Sequence, residues 1–280
     1  MSERRSVILM VLSLVLTLTV IPLSGCNAGA RAANELVVTG STTILPIAEI
    51  AGEMFTDDNP ENKVLVSGLG SSAGIETVSR GSSDIGTASR DLKEEEMELG
   101  LYDTPLAYDA IAVIVHPSNP IDDLTKEQVR LIFNGTYTNW SELGGNDVRI
   151  GLVNRDEASG TREAFYKIAM EKSPFDRTAA VLPGTGQVRS VVAQAEGAVG
   201  YISLGFVNNE VKSISVDGIE ASAETVVDGT YPISRLLHFF TPGEPTGLAK
   251  DYIDFVLSDE IQNGIVIDAG FTPISAGEDR

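Results

Sequence analysis

The stretch Arg155-Asp156-Glu157-Ala158-Ser159-Gly160-Thr161 decides how the rest of the chain is read. Before it, Val148 to Val153 has the apolar pattern of a strand. After it, Ala164, Phe165, Ile168 and Ala169 recur at helical spacing within an amphipathic segment from Arg162 to Lys172. Ser159-Gly160-Thr161 therefore falls at a helix start, where unpaired N–H groups and a partial positive charge collect. Gly160 lets the backbone approach closely, and Ser159 and Thr161 add hydroxyls. Arg155 supplies a planar guanidinium able to grip a tetrahedral oxyanion through two parallel hydrogen bonds. An ordinary N-cap beside a surface arginine would carry the same letters, so the reading depends on whether other loops repeat it.

They do. Leu36 to Val38 reads as a buried strand and Gly40-Ser41-Thr42-Thr43 as a turn. Pro46 then opens a helix whose apolar face is Ile47, Ile50, Ala51, Met54 and Phe55. Val64 to Ser67 is a second strand, followed by the glycine- and serine-rich run Gly68 to Gly74 and a short helix through Ile75 and Val78. Asp84 to Ala88 is a third strand, ending at Ser89-Arg90. Each loop alone is ordinary turn chemistry. Repeated at consecutive strand ends, they direct one face of an open α/β sheet at a single ligand.

Further on, Leu92 to Leu99 reads as an acidic helix with Glu94, Glu95 and Glu96 facing solvent. Ala110 to His116, closed by Pro117, reads as a buried strand whose counterpart is Ile233 to Thr241. Between them fall a helix over Thr125 to Phe133, the Asn134 to Gly145 loop, a helix over Gly184 to Ala195 and a strand over Ala198 to Ile202. A helix over Ala249 to Leu257 and a short one from Glu260 follow.

At the amino end, Arg4 and Arg5 precede an apolar run from Val7 to Leu23, and Leu23-Ser24-Gly25-Cys26 ends it. The run is short for a spanning helix, which needs about 20 residues. The tetrapeptide resembles a lipoprotein signal-peptidase site, which implies that residues 1–25 are a signal peptide and that Cys26 is lipidated. A plain transmembrane anchor is the alternative. Asn27 to Ala33 reads as a tether. Cys26 is the only cysteine, so no internal disulfide is available. About 245 residues remain, enough for one large or two modest domains.

The net charge of −20 disfavours nucleic acid and anionic lipid as partners. It does not exclude a small buried anion. Surface charge is screened over roughly 8 Å at physiological salt, whereas donors in a closed cleft act at short range. Enzyme chemistry finds little support: Glu157 stands where a nucleophile elbow requires glycine. His116 and His238 have no evident triad partners, and no Cys/His metal cluster or cofactor motif is present.

Taken together, nine stretches resemble the phosphate-binding lipoproteins of phosphate-uptake ABC transporters, in the short-chain branch. They are Gly40 to Pro46, Gly70 to Gly74, Asp84 to Arg90, Asp109 to Val115, Ile132 to Gly135 with Asn139-Trp140, Arg155 with Ser159 to Arg162, Val199 to Tyr201, Tyr231 to Arg235, and Tyr252 to Ser258. The resemblance implies an α/β, two-lobed periplasmic-binding-protein fold of type II, with the ligand cleft between lobes. Two hinge crossings are expected, at Val113 to Pro117 and near Pro232 to Leu236. Lobe I would be 34–115 plus 233–280 and lobe II 116–232. The implied function is capture of inorganic phosphate for a membrane-embedded permease, by a monomer lipid-anchored outside the cytoplasm. The implied phosphate contacts fall on Ser41, Thr42, Thr43, Ser71, Ser89 or Arg90, Arg155, Ser159, Gly160 and Thr161.

Arg90 departs from the longer relatives, which carry an aspartate there to accept the proton that hydrogen phosphate keeps. Asp109 is the candidate replacement acceptor, with a structural pairing to Arg90 as the alternative. Sulfate, molybdate or tungstate would suit the same loop chemistry. A sensor or adhesin on this scaffold would need no anion. Trp140 and Tyr137 could face a partner or pack.

Overall fold

The computed structural model describes residues 34–277; the signal peptide expected over 1–25, Cys26 and the tether expected over 26–33 lie outside the described residues. The chain begins with β1 (Glu35–Gly40), α1 (Leu45–Asp58), β2 (Lys63–Gly68), α2 (Ser71–Ser79) and β3 (Ile85–Ala88). In α1 the proline sits in the first turn, where its missing N–H costs nothing, and Ile47, Ala48, Ala51 and Phe55 form the buried stripe. A 14-residue strand, β4 (Tyr102–Val115), follows. Then come β5 (Asp123–Leu124), α3 (Lys126–Phe133), β6 (Gly151–Arg155), α4 (Gly160–Ile168), β7 (Ala180–Leu182) and α5 (Thr185–Gln194). The chain closes with β8 (Ala198–Ser203), β9 (Lys212–Val216), α6 (Ala223–Val227), β10 (Ser234–Thr241), α7 (Gly247–Val256), α8 (Asp259–Ile261) and β11 (Thr272–Pro273).

Eight strands follow one path, β2-β1-β3-β10-β4-β8-β6-β7, while β9 and β11 pair with β4 off it and β5 pairs with β9. β1 lies parallel to β2 and β3, and β6 parallel to β7 and β8, which sends their carboxyl ends toward loops that enter helices. β4 is the pivot. Tyr102 to Ala110 pairs with β10, whereas Ile111 to Val115 pairs with β8. The hydrophobic core divides at the same residues. One cluster draws on Leu36 to Ala107 and Leu237 to Phe271, another on Ala110 to Ile233, and a small third one of Ile75, Val78, Ala88 and Phe240 lies on the side of the first.

β4 is longer than the strand read from sequence because Asp103 and Pro105 interrupt its apolar run. The sheet accommodates Pro105 by a register shift opposite Leu237 and His238, which leaves Leu106 as the extra residue. The acidic segment is a 3-10 turn, Glu94–Leu99, and Glu96 turns inward to accept from Arg90 and from the Lys93 amide. Trp140 is buried, its indole N–H donating to the Gly197 carbonyl at 3.0 Å, so it packs and does not face a partner.

Candidate anion-binding site

Four loops meet at one point. Ser41 to Thr43 follow β1, Ser71 opens α2, Ser89 follows β3, and Ser159 to Thr161 open α4. Ser41, Thr43, Ser71, Ser89, Ser159 and Thr161 are all buried. Their hydroxyls interlock: Thr43 Oγ1 lies 3.1 Å from Thr161 Oγ1, Ser71 Oγ lies 3.3 Å from Ser89 Oγ, and the Ser89 amide donates to Ser71 Oγ at 3.1 Å. Ser159 is the N-cap, its Oγ accepting from the Arg162 amide at 3.1 Å. The Gly160 and Thr161 amides, in the first helical turn, have no carbonyl one turn back within α4 to receive them.

Two glycines permit this approach. At Gly160 a Cβ would stand 2.3 Å from Ser71 Oγ and 2.8 Å from Ser89 Oγ. Gly70 has φ +98°, and a Cβ there would meet the Ala158 carbonyl at 2.8 Å, just where the Ser72 amide donates to that same oxygen at 3.1 Å.

Arg155 ends β6 at 2% exposure. Its Nε donates to the Leu182 carbonyl at 3.1 Å and Nη1 to Thr185 Oγ1 at 3.1 Å. Nη2 donates to the Pro183 carbonyl at 2.8 Å and to Thr42 Oγ1 at 3.2 Å. All four acceptors are neutral, and among the described residues Arg155 makes no ion pair. Burial pulls its pKa down, opposed at longer range by Asp156 and Tyr201. A guanidinium has five N–H groups, so one remains for a ligand, and a two-bond grip on an oxyanion would have to draw on a threonine's share. Its backbone is braced by Asn154, whose Oδ1 accepts from the Arg155 amide at 2.8 Å and from the Tyr201 hydroxyl. Tyr201 in turn stacks on Phe165 of α4 at 4.0 Å between centroids.

The other two candidates hold different positions. Arg90 is buried and forks onto Glu96 at 2.6 and 2.8 Å, so its charge is already matched. Asp109 faces Arg235 directly across the β4–β10 ladder, and not Arg90. Arg235 Nε and Nη2 both donate to Asp109 Oδ2, at 2.9 and 2.7 Å, while Ser203 donates to Oδ1 at 2.7 Å and the Leu204 amide also contributes. Those four donors fill the four lone-pair positions of a carboxylate. Burial pushes the Asp109 carboxyl above its ordinary range, and Arg235 and Ser203 work against that. Arg235 Nη1 reaches the Ser89 carbonyl at 2.9 Å, which ties the pair to the third loop. Arg235, Ser203 and Thr185 were not singled out from the sequence, although Thr185 follows Gly184 at a helix start much as Thr161 follows Gly160.

A fold of this kind, with hydroxyl loops and a buried cation where its strand ends converge, defines a small-anion binding protein. Residues 26–260 match the family model of a PBP superfamily domain. A Bacillus subtilis relative, phosphate-binding protein PstS, is 35% identical over 250 residues, covering 88% of this chain and 82% of its own. The protein of the same name from Borreliella burgdorferi is 31% identical over 255 residues, covering 86% and 91%. Among solved structures, a Clostridium perfringens substrate-binding protein ascribed to a phosphate ABC transporter, with phosphate bound, superposes with a TM-score of 0.82. It is 39% identical, over 86% of this chain and all of that one. An ABC-type phosphate transport receptor from Vibrio cholerae gives 0.73 at 31% identity, over 85% and 99%. The chain belongs to the PstS family of phosphate-binding proteins, and its α/β architecture is the periplasmic-binding-protein fold.

Proposed function

We propose that this protein captures inorganic phosphate outside the cytoplasm and hands it to an ABC permease. The observation that carries the reading is Arg155, a buried guanidinium whose hydrogen bonds all go to neutral oxygens. An uncompensated buried charge is costly, and an incoming oxyanion compensates it. Around it the hydroxyls of Ser41, Thr42, Thr43, Ser71, Ser89, Ser159 and Thr161, with the Gly160 and Thr161 amides, supply the remaining donors. Relatives named as phosphate-binding proteins, and a neighbour holding phosphate, support that anion. Binding of this kind needs no chemical step, and the named relatives are binding proteins and receptors.

In this reading the chain is two lobes, 34–110 with 234–277 and 111–233, that close on the ion by hinge motion. The change of partners along β4 and the division of the core support a first crossing at Ala110/Ile111, a few residues before the expected Val113 to Pro117. Asp109 acts on the anion through Arg235 and the Ser89 carbonyl, and Arg90 holds the third loop through Glu96. Lipidation of Cys26 would keep the monomer at the outer membrane face.

Equilibrium dialysis with radiolabelled phosphate, competed by sulfate and by molybdate, tests the reading. Phosphate retained against excess sulfate is expected. Displacement by sulfate or molybdate at equal concentration would transfer the site to another oxyanion.

A further inference from the structure

We infer that Thr185 is a positioning residue for anion capture, which holds Arg155 in place and sets how slowly the closed site releases its ion. The inference rests on the phosphate reading above. Thr185 opens α5 and is 1% exposed. Its Oγ1 lies 3.1 Å from Arg155 Nη1 and 3.1 Å from Thr42 Oγ1, while Arg155 Nη2 lies 3.2 Å from Thr42 Oγ1. The three side chains form a closed ring, with Thr42 from the loop after β1 and Arg155 and Thr185 from the opposite core cluster.

The donor count gives the ring its direction. Each hydroxyl accepts one guanidinium N–H, and one of the two donates to the other. The second hydroxyl proton is then left over, beside a guanidinium with one unused N–H. Two spare donors suit the accepting oxygens of an anion. In the two-lobe reading Thr42 and Arg155 stand on different lobes, so closure completes the ring. It adds nothing to first encounter. Losing it therefore acts on release and not on association.

Stopped-flow phosphate binding to the full chain tests this. Thr185→Val keeps the shape and removes the hydroxyl; release should accelerate roughly ten- to a hundredfold, the effect of losing one charge-assisted hydrogen bond. The association rate should stay within about twofold of the parent by the same argument. Thr185→Ser should restore slow release. Thr42→Val opens the ring from its other side, and the double variant should release no faster than the quicker single one.

A merely structural role would lower the active fraction and leave the release rate of bound protein unchanged. An unchanged release rate in Thr185→Val, or a loss confined to association, overturns the inference while leaving phosphate binding intact. Should Thr185→Val not fold, Thr185→Ala decides by the same readout. A parent protein that binds no phosphate overturns the underlying reading and this inference with it.

Discussion

Replacing Arg155 by methionine should separate binding from stability. Arg155 makes four hydrogen bonds to neutral oxygens and no ion pair among the described residues, while burial disfavours its charge. Methionine removes the buried charge and keeps much of the volume, leaving four acceptors to relax or hydrate. Those two effects oppose each other, so the ligand-free melting temperature should move by no more than about 4 °C, the equivalent of roughly 1 kcal/mol or less. Affinity behaves differently. The one N–H left for phosphate contributes about 1.5 to 3 kcal/mol as a charge-assisted bond, so its loss weakens binding by roughly ten- to 150-fold. Calorimetric titration beside a thermal melt of the same preparation reads both. Affinity within tenfold of the parent, or a melting loss as large as the binding loss, would refute the argument that this cation is kept for the ligand.

Gly160→Ala should weaken phosphate binding by at least tenfold in calorimetry and lower the melting temperature as well, since a Cβ there would stand 2.3 Å from Ser71 Oγ and 2.8 Å from Ser89 Oγ. Asp109→Asn should destabilise the protein by about 3 kcal/mol or more in urea, because it leaves the Arg235 guanidinium buried without its charge partner. The phosphate-to-sulfate affinity ratio should not change; a ratio that collapsed would return Asp109 to the role of proton acceptor. His238 titrates within reach of experiment. Burial lowers its pKa, but the hydrogen bond that Nδ1 donates to Asp103 at 2.8 Å and the Asp91 carboxylate 3.3 Å from Nε2 outweigh that and lift it from 6.5 to about 9. A raised folded pKa means stability present in full below pH 6.5 and lost as pH rises through about 9, on the order of 3 kcal/mol. Urea midpoints of the parent should therefore fall between pH 6 and pH 9.5 more than those of His238→Gln; equal slopes would contradict the pairing.

The loops of the site were legible because their chemistry is local. A hydroxyl or glycine just past a short apolar run marks a strand end entering a helix, and Ser41, Ser71, Ser89 and Ser159 all stand where such a run ends. The partnerships were not legible, because they depend on register between distant strands. Asp109 and Arg235 are 126 residues apart and meet only because β10 lies antiparallel to β4 with those two positions opposite each other. Arg90 next to Ser89 reads from sequence as a ligand, and only the fold reveals that the turn at Lys93 swings Glu96 back onto it. β7 is not legible because two exposed residues and a half-buried one carry no periodicity, yet its end supplies the Leu182 carbonyl that orients Arg155. Thr185 was hidden in a Gly-Thr-Gly that turn preference explains equally well.

Calorimetric titration of the body from Asn34 onward with phosphate, beside a parallel titration with sulfate, tests the central claim most directly. One-to-one phosphate binding at micromolar affinity or tighter, which needs roughly 8 kcal/mol, with sulfate giving no heat, is the predicted result. Heat with neither anion, or equal heat with both, would contradict the account.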